Sequence, residues 1–266
     1  MSLSYKKFLE EIVSFLKYFL GEIRHRRFKV IISYDRVAGN FSLKNNPLLV
    51  SNLNANQISR KFILQNEIKK KKFFLDVGGG DGKLRYLLGY LDAWKYKDTL
   101  YKKNRKVFES KFHYFGTDLI DRSEGEKNMV IGDICLNEYL TENEDFIDFF
   151  DVIYSNNVFE HLHNPFVAMK NIYKMLKVNG IAVTVVPFAA RYHNGSNYGD
   201  FFRYTHQGVE AILSEAGQFE TLISGYDMTK RRANYQGKKS GNIVPVDKFG
   251  AWRENWDVIN ISKKLK

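Results

Sequence analysis

Cysteine is almost absent from this 266-residue sequence, which contains a single thiol at Cys135. One thiol can form neither an intrachain disulfide nor a zinc site built from cysteines, so a disulfide-rich secreted domain is excluded. Ile134 and Leu136 flank the cysteine, which predicts that its side chain is buried. The sequence therefore predicts a protein of a reducing compartment, the cytoplasm.

Long uninterrupted apolar runs are also missing, and the amino terminus shows this best. Between Phe8 and Phe19 the apolar residues step by four, three and four positions, the spacing of one helical face. Charged residues interrupt this stretch, so it can neither span a bilayer nor serve as the core of a signal peptide. We predict that residues 1–56 form a helical extension and a connector, with the helix packed on the main domain. A lid over a substrate pocket and a membrane-surface helix that uses the basic residues 25–27 remain alternatives.

Acidic residues are outnumbered by basic ones: 41 lysines and arginines face 30 aspartates and glutamates, for a formal net charge of +11. Such an excess favours anionic partners, namely nucleic acids, nucleotide-linked substrates or phosphates. A lysine-rich composition whose side chains are merely solvated would give the same total, so both interpretations stay open. With 44% hydrophobic and 15% aromatic residues, the chain can bury a full core.

Predicted strands alternate with helical stretches along the middle of the chain. Alternation of this kind predicts right-handed crossovers and a parallel sheet, which is an α/β fold. Two later apolar runs are predicted to close that sheet as a pair of strands. The predicted strands are Phe73–Val77, His113–Thr117, Asn128–Ile131, Asp151–Ser155, Ile181–Val186, Phe219–Tyr226 and Trp256–Ser262, and the helices between the first five are Lys83–Leu91, Leu136–Leu140 and Phe159–Leu176.

Two polar loops interrupt the second half of the predicted domain, which covers residues 57–266. They span 187–205 and 229–250, lack periodicity and are long for connections in a compact sheet, so we predict that they form the acceptor site. Thr205 is expected to cap the helix that follows the first of these loops, and that helix is expected to end at Gly217.

A glycine-rich turn follows the first predicted strand, in the sequence LDVGGGDG at 75–82. Glycine lets a ligand approach the backbone because no Cβ stands in the way. The spacing differs from the dinucleotide fingerprint, and the Lys-Ser/Thr ending of a P-loop is absent, so pyrophosphate binding is disfavoured. Asp118 and Asp133 end the next two strands, where carboxylates could accept hydrogen bonds from ribose hydroxyls and from an exocyclic amino group. Either aspartate could instead be a helix N-cap.

Taken together, these residues resemble the class I S-adenosylmethionine-dependent methyltransferases, type 11 subfamily. The similarity covers about residues 70–225 and includes TD at 117–118, GDI at 132–134 and FDVIYSNNVFEHLHNPFVAMKNIYKMLKVNGIAVTVVP at 150–187. It implies a Rossmann-like doubly wound, mostly parallel seven-stranded sheet, with S-adenosylmethionine as the cofactor. The implied cofactor contacts are Asp76, Gly78, Gly79 and Gly80 for the methionine part, Asp118 and Leu119 for the ribose, Asp133 and Ile134 for the adenine, and Asn156 for the wall after strand four.

One departure from the family concerns the ribose contact. Asp118 lies 118 − 76 = 42 residues after Asp76, about twice the spacing expected for a first βαβ unit. The additional residues include a basic aromatic insertion over 94–106. Asp121 is therefore a competitor for the ribose position.

His161 is the candidate catalytic base, because imidazole titrates near neutral pH and this residue lies just past strand four, at the ligand-binding edge of such sheets. The alternative is that Glu160 and His161 only cap and orient the following helix. Relatives that methylate quinone precursors hold a divalent metal with a Glu-x-x-Glu-His arrangement. Asn157 stands here in place of the first glutamate, and loss of that oxygen ligand predicts no metal requirement.

The acceptor is predicted to contact residues near the loop after strand five. Arginine can bind phosphate or carboxylate in bidentate fashion, which favours a sugar or anionic small molecule. Packing of Phe202 and Tyr204, with Arg203 paired to Asp200, is the competing interpretation. The candidate acceptor-binding residues are Arg191, His193, Arg203, Tyr204 and His163.

The segment DFFRYTHQGVEAILSEAG resembles methyltransferases of surface-polysaccharide clusters, such as those for capsule and O-antigen. The leading hypothesis is methyl transfer to an oxygen of a sugar, nucleotide-linked sugar or phosphoramidate precursor of a surface glycan. An RNA methyltransferase is the first alternative, although strand four lacks the Asn/Asp-Pro-Pro-aromatic run that holds a flipped base, which makes a nucleic-acid substrate less favoured. A non-catalytic cofactor-binding scaffold is the second. The oligomeric state stays open, and a homodimer is one of the states considered.

Overall fold

The computed structural model describes residues 70–79, 98–121, 128–190, 192–227 and 256–266, together with a few helical positions between 55 and 63. The predicted amino-terminal helix, the rest of the glycine-rich turn from Gly80 onward, and the predicted loop over 229–250 lie outside the described residues. No helix in the described part of the chain is long and apolar enough to cross a membrane.

The described residues build one seven-stranded sheet in the order β3-β2-β1-β4-β5-β7-β6. Neighbouring strands from β3 to β5 run parallel, whereas β7 runs antiparallel to both β5 and β6. This is the predicted doubly wound, mostly parallel α/β sheet. The strands are β1 Lys72–Val77, β2 Phe112–Asp118, β3 Met129–Ile131, β4 Phe150–Asn156, β5 Leu176–Ala189, β6 Phe219–Asp227 and β7 Trp256–Lys264.

The strand order reverses next to β1, and this topology fixes where a ligand can bind. β2 and β3 lie on one side of β1, and β4 and β5 lie on the other. In open sheets of this kind, ligands bind in the crevice outside the carboxyl ends of the strands at such a reversal. The turns after β1, β2, β3 and β4 therefore meet at one edge.

The helices are α1 Asp98–Lys111, α2 Pro165–Met175 and α3 His206–Ala216, with short 3₁₀ turns at Asn137–Leu140, Glu144–Phe146 and Phe159–His161. The prediction of a single helix over Phe159–Leu176 is wrong. A 3₁₀ turn ends at His161, and α2 begins only after Asn164, whose side chain accepts a hydrogen bond from the Val167 amide. Pro165 follows as the first helical residue, where its missing N–H costs nothing.

The start and end of α3 agree with the sequence-based prediction. Thr205 Oγ1 accepts a hydrogen bond from the Gly208 amide at 3.0 Å, which is an N-cap. Gly217 follows the helix, and a Cβ at this position would overlap the ring of Tyr173. The glycine is therefore required for close packing between α3 and α2.

Two apolar cores cover the two faces of the sheet. Leu75 points into the core under α2 and α3, whereas its neighbour Phe74 points into an aromatic core on the other face. There Phe108 of α1 meets Phe74 edge-on, with ring centroids 5.0 Å apart. Much of the predicted basic insertion over 94–106 is thus part of a helix that leads directly into β2.

Candidate active site

A cavity of about 310 Å³ opens at the carboxyl ends of β1 to β4. This volume falls in the range of small-molecule binding sites. Strand ends and turns supply one wall, and the segment after β4 and the loop after β5 supply the other. The described lining residues are Val77, Gly78, Thr117, Asp118, Leu119, Ile120, Gly132, Asp133, Ile134, Cys135, Asn157, Val158, His161, Leu162, His163, Asn197 and Tyr198.

Gly78 brings the backbone of the glycine-rich turn close to the cavity. Its φ is +73°, a left-handed conformation that side chains disfavour, and its N–H donates to the Thr117 carbonyl at 2.8 Å. A Cβ on Gly78 would lie 2.5 Å from Cγ2 of Val158. A Cβ on Gly79 would collide with the Asp76 carboxylate. Both glycines are thus needed for the turn itself.

Asp76 is buried beneath this turn. Its Oδ2 accepts a hydrogen bond from the Tyr114 hydroxyl at 3.0 Å, and the side chain is not among the described groups that line the cavity. Asp76 therefore braces the turn from below. Its predicted contact with the methionine part of a cofactor stays a prediction.

Asp118 and Leu119 lie at the mouth of the cavity, where β2 ends. The parallel register pairs Val77 of β1 with Thr117 of β2, so Asp118 follows directly at the same edge. The long spacing from Asp76 therefore does not displace Asp118. Asp121, the competitor, is exposed and does not line the cavity in the described part of the chain.

The turn after β3 carries Asp133, Ile134 and Cys135 to the cavity. Asp133 Oδ1 accepts a hydrogen bond from the Cys135 amide at 2.8 Å, so the aspartate caps its own turn as well as lining the cavity. Asn171 of α2 donates to the carbonyls of Ile134 and Leu136 and holds the turn from behind. Burial raises the pKa of the Cys135 thiol to about 11, consistent with the buried cysteine predicted.

Asn157 and Val158 line the cavity after β4, and Asn156 is the last residue of that strand. Asn157 has a φ of +54°, and this left-handed residue ends the strand and redirects the chain. The predicted contact of Asn156 with the cofactor stays a prediction, and Asn157 is a further residue that the sequence pattern did not indicate.

His161 lies at the rim of the cavity, in the 3₁₀ turn after β4. Its Nδ1 donates a hydrogen bond to the Gly199 carbonyl at 2.5 Å, which leaves the second nitrogen, Nε2, able to accept a proton. Tyr198 and His193 contact the imidazole edge-on, with ring centroids 4.6 and 4.9 Å away. Burial lowers the pKa of His161 below its usual value, which favours the neutral base.

Glu160, next to His161, is 1% exposed. Neither carboxylate oxygen has a hydrogen-bond partner among the described residues, and Oε1 lies 3.6 Å from Nε2 of His161. Burial raises the pKa of this carboxyl to about 7. A capping role for Glu160 was the alternative to catalysis by His161, but the N-cap of α2 is Asn164.

The loop after β5 is held by an ion pair. The guanidinium of Arg203 binds both oxygens of Asp200, with Nη2 at 2.8 Å from Oδ2, and this hydrogen bonding lowers the pKa of Asp200 to about 2. Tyr204 is buried and donates to the Phe159 carbonyl at 2.9 Å. Pairing and packing are thus what the structure describes for Arg203 and Tyr204, neither of which lines the cavity in the described part of the chain.

The other candidate acceptor residues are placed differently. The His193 amide donates to Asp200 at 2.7 Å, and its ring contacts His161. His163 lines the cavity, but beside Asp133, with Nδ1 4.0 Å from Oδ2, on the side predicted for adenine. Arg191 lies outside the described residues. Tyr198, which no motif singled out, lines the cavity near His161.

Solved structures to which the chain is similar include phosphoethanolamine N-methyltransferase 2 from Haemonchus contortus in complex with S-adenosyl-L-methionine. It is 14% identical, with a TM-score of 0.47, and the match covers 79% of this chain and 52% of that one, so this chain spans about half its length. The YcgJ protein from Bacillus subtilis is 12% identical, with a TM-score of 0.47 and coverage of 79% and 99%. The [4+2]-cyclase SpnF is 14% identical, with a TM-score of 0.47 and coverage of 79% and 82%.

No curated protein sequence matches the chain significantly. A family model described as the methyltransferase domain does match, over residues 53–218, which is more than half of the chain. The matched segment contains the glycine-rich turn, the aspartates after β2 and β3, and His161. The chain therefore belongs to the methyltransferase domain family, with S-adenosylmethionine as its cofactor.

Proposed function

We propose that this protein transfers the methyl group of S-adenosylmethionine to an oxygen of a small polar acceptor. The acceptor class that we favour is a sugar, nucleotide-linked sugar or phosphoramidate precursor of a surface glycan. The observation that carries the proposal is the position of His161, whose imidazole lies between the cavity and the loop after β5.

The residues of the cavity fit the cofactor. Gly78 exposes bare backbone, Asp118 ends β2 where it could accept hydrogen bonds from ribose hydroxyls, and Asp133 with Ile134 lines the part of the cavity that we assign to adenine. The cofactor supplies an electrophilic methyl group on a sulfonium. The protein then has to position the acceptor oxygen and remove its proton.

His161 is suited to take that proton. The hydrogen bond from Nδ1 to Gly199 fixes the tautomer in which Nε2 has a lone pair. The lowered pKa keeps the ring neutral near pH 7. General-base catalysis of this kind contributes about 10²- to 10⁴-fold to the rate.

Aromatic side chains in the loop after β5 support an acceptor with an apolar face as well as hydroxyls, as a sugar ring has. Tyr192 and Phe201 are more than half exposed, and Tyr198 lies beside His161. Arg203 adds less support for an anionic acceptor than its sequence position suggested, because Asp200 already binds its guanidinium. The sugar portion is therefore the better-supported part of the proposed acceptor.

Titration of S-adenosylhomocysteine by calorimetry tests the cofactor, and absence of binding to the wild type would refute the proposal. Transfer is tested with tritium-labelled S-adenosylmethionine against free sugars, nucleotide-linked sugars, a sugar phosphate and total RNA. We expect His161→Ala to lower turnover about 10²- to 10⁴-fold with unchanged S-adenosylhomocysteine affinity. Label in RNA alone would favour the first alternative function, and cofactor binding without transfer to any acceptor would favour the scaffold.

A further inference from the structure

Glu160 presents a buried carboxylate whose burial the positive charge of Arg203 offsets only in part. It is 1% exposed, and neither oxygen has a hydrogen-bond partner among the described residues. Burying an ionised carboxylate is costly unless it is paired, protonated or bound to a metal. A bound cation would compensate this cost.

Two imidazoles lie around this carboxylate. Glu160, His161 and His193 each offer a ligand atom, and these atoms lie within 4.8 Å of one another. Nε2 of His161 is the nitrogen that faces Glu160, at 3.6 Å from Oε1. If each of the three ligand atoms moved inward by about 1 Å, all three would lie at the distance from a common centre that zinc ligands have, about 2 Å.

His161 is oriented as metal-binding histidines usually are, and His193 lies beside a carboxylate. A histidine that binds a metal through one nitrogen generally directs the other at a carboxylate or a backbone carbonyl. Nδ1 of His161 donates to the Gly199 carbonyl at 2.5 Å, and Nδ1 of His193 lies 3.5 Å from Oδ2 of Asp200. Asp200 is itself fixed by Arg203. The outer contact of a metal-binding histidine is therefore present for His161, and Asp200 lies close enough to supply one to His193.

We propose that Glu160, His161 and His193 form a binding site for one divalent cation of the zinc type. Two imidazole nitrogens and one carboxylate oxygen match the ligands of catalytic zinc sites, whereas magnesium prefers oxygen ligands. The His193 side chain is 34% exposed, so one side of the cluster faces solvent and leaves a coordination position for a water or an acceptor oxygen.

His193 changes the prediction that no metal is required. That prediction rested on Asn157, which replaces a carboxylate upstream of Glu160. The third ligand comes instead from His193 in the loop after β5. This residue lies 193 − 161 = 32 positions after His161, too far for a sequence motif to link the two histidines. A cation at this site would occupy Nε2 of His161 and lower the pKa of a bound hydroxyl itself. This inference rests on the proposed methyl transfer: with the cation bound, the cation would activate the acceptor hydroxyl, and in the cation-free protein His161 would act as the base.

The test uses the full chain without a polyhistidine tag, stripped with a chelator and dialysed. Calorimetric titration with ZnCl₂ should show one equivalent bound, and CoCl₂ should give the visible absorption of a site with nitrogen ligands. Glu160→Gln and His193→Ala should each weaken zinc binding at least about tenfold. His113→Ala, which removes a histidine stacked on Phe73 at the other end of the sheet, should leave zinc affinity unchanged.

Zinc binding that is undetectable in the wild type, or equal in Glu160→Gln, His193→Ala and the wild type, would overturn the proposal. Loss of binding only in His163→Ala would also overturn it, because that result would assign the cation to the second cluster, Asp133, Cys135 and His163. S-adenosylhomocysteine titration of each variant shows whether the fold is intact. The same titration separates the two proposals, since failure to bind zinc leaves cofactor binding untouched.

Discussion

The two sides of the cavity are built by different means. On the side proposed for the cofactor, called the cofactor side below, backbone turns after parallel strands set the geometry, and the register of β1 with β2 places Gly78 beside Asp118. On the side proposed for the acceptor, called the acceptor side below, an ion pair and a few hydrogen bonds hold the loop after β5. One of these hydrogen bonds runs from the Phe201 amide to the Glu160 carbonyl at 2.7 Å. The acceptor side can therefore change by substitution in one loop, whereas the cofactor side depends on the sheet.

Gly78→Ala should break the cofactor side and have the largest effect. The new Cβ meets Val158 at 2.5 Å, and the left-handed backbone adds strain of about 1–3 kcal/mol. We expect S-adenosylhomocysteine affinity to fall about 100-fold, as when a positioning group moves by an ångström. Calorimetry measures this, with Gly208→Ala as the matched control, since its Cβ would meet only Thr205 Oγ1 at 3.4 Å. Equal affinity of the two variants would contradict the prediction.

Glu160→Gln should stabilise the cation-free protein, in a manner that depends on pH. The folded-state pKa of Glu160 is raised from 4.5 to about 7, so the folded state retains the proton and stability is lost as pH rises between these values. At 1.36 kcal/mol per pKa unit, the free energy of unfolding falls by about 3 kcal/mol over this pH range. Glutamine has no proton to lose in this range, so the variant does not show this decrease. Urea unfolding in the presence of a chelator should show the two proteins converging near pH 4.5 and the variant more stable above pH 7. A constant difference would argue against a buried, unpaired carboxylate.

Asp200→Asn should loosen the acceptor side alone. The pKa of Asp200 is lowered from 3.8 to about 2, so its stabilising effect is present above pH 3.8 and is lost as pH falls toward 2. The lost ion pair should cost about 2 kcal/mol of unfolding free energy at pH 7. We expect a higher KM for the acceptor and unchanged S-adenosylhomocysteine affinity, measured by steady-state kinetics and calorimetry. A weakened cofactor complex would mean that the two sides are coupled.

Tyr204→Phe should have the smallest effect of these changes. It removes one buried hydrogen bond to the Phe159 carbonyl and keeps the ring in its packing. Loss of such a bond costs about 1 kcal/mol. Thermal unfolding should therefore show a small decrease in stability, with both cofactor affinity and acceptor KM close to those of the wild type. A large rise in KM would show that the hydroxyl contacts the acceptor.

Local sequence patterns predicted the strands well because buried parallel strands are short apolar runs bounded by turn residues. They failed at Phe159–Leu176, where Asn164 and Pro165 restart the helix within a continuous apolar pattern. They also did not indicate Asn157, which lines the cavity, since a single left-handed residue leaves no periodic signal. Turn conformation is decided by one backbone angle and not by the hydrophobic pattern.

By itself, the sequence determined the α/β class, the glycine-rich turn and the aspartates after β2 and β3. These depend on contacts close in sequence or on the shared edge of parallel strands. Only the tertiary structure decided which groups surround Glu160. His193 and Asp200 reach it from beyond β5, because the chain returns across the sheet edge after that strand. Residues so far apart in sequence come into contact through tertiary packing, which a local sequence pattern does not predict.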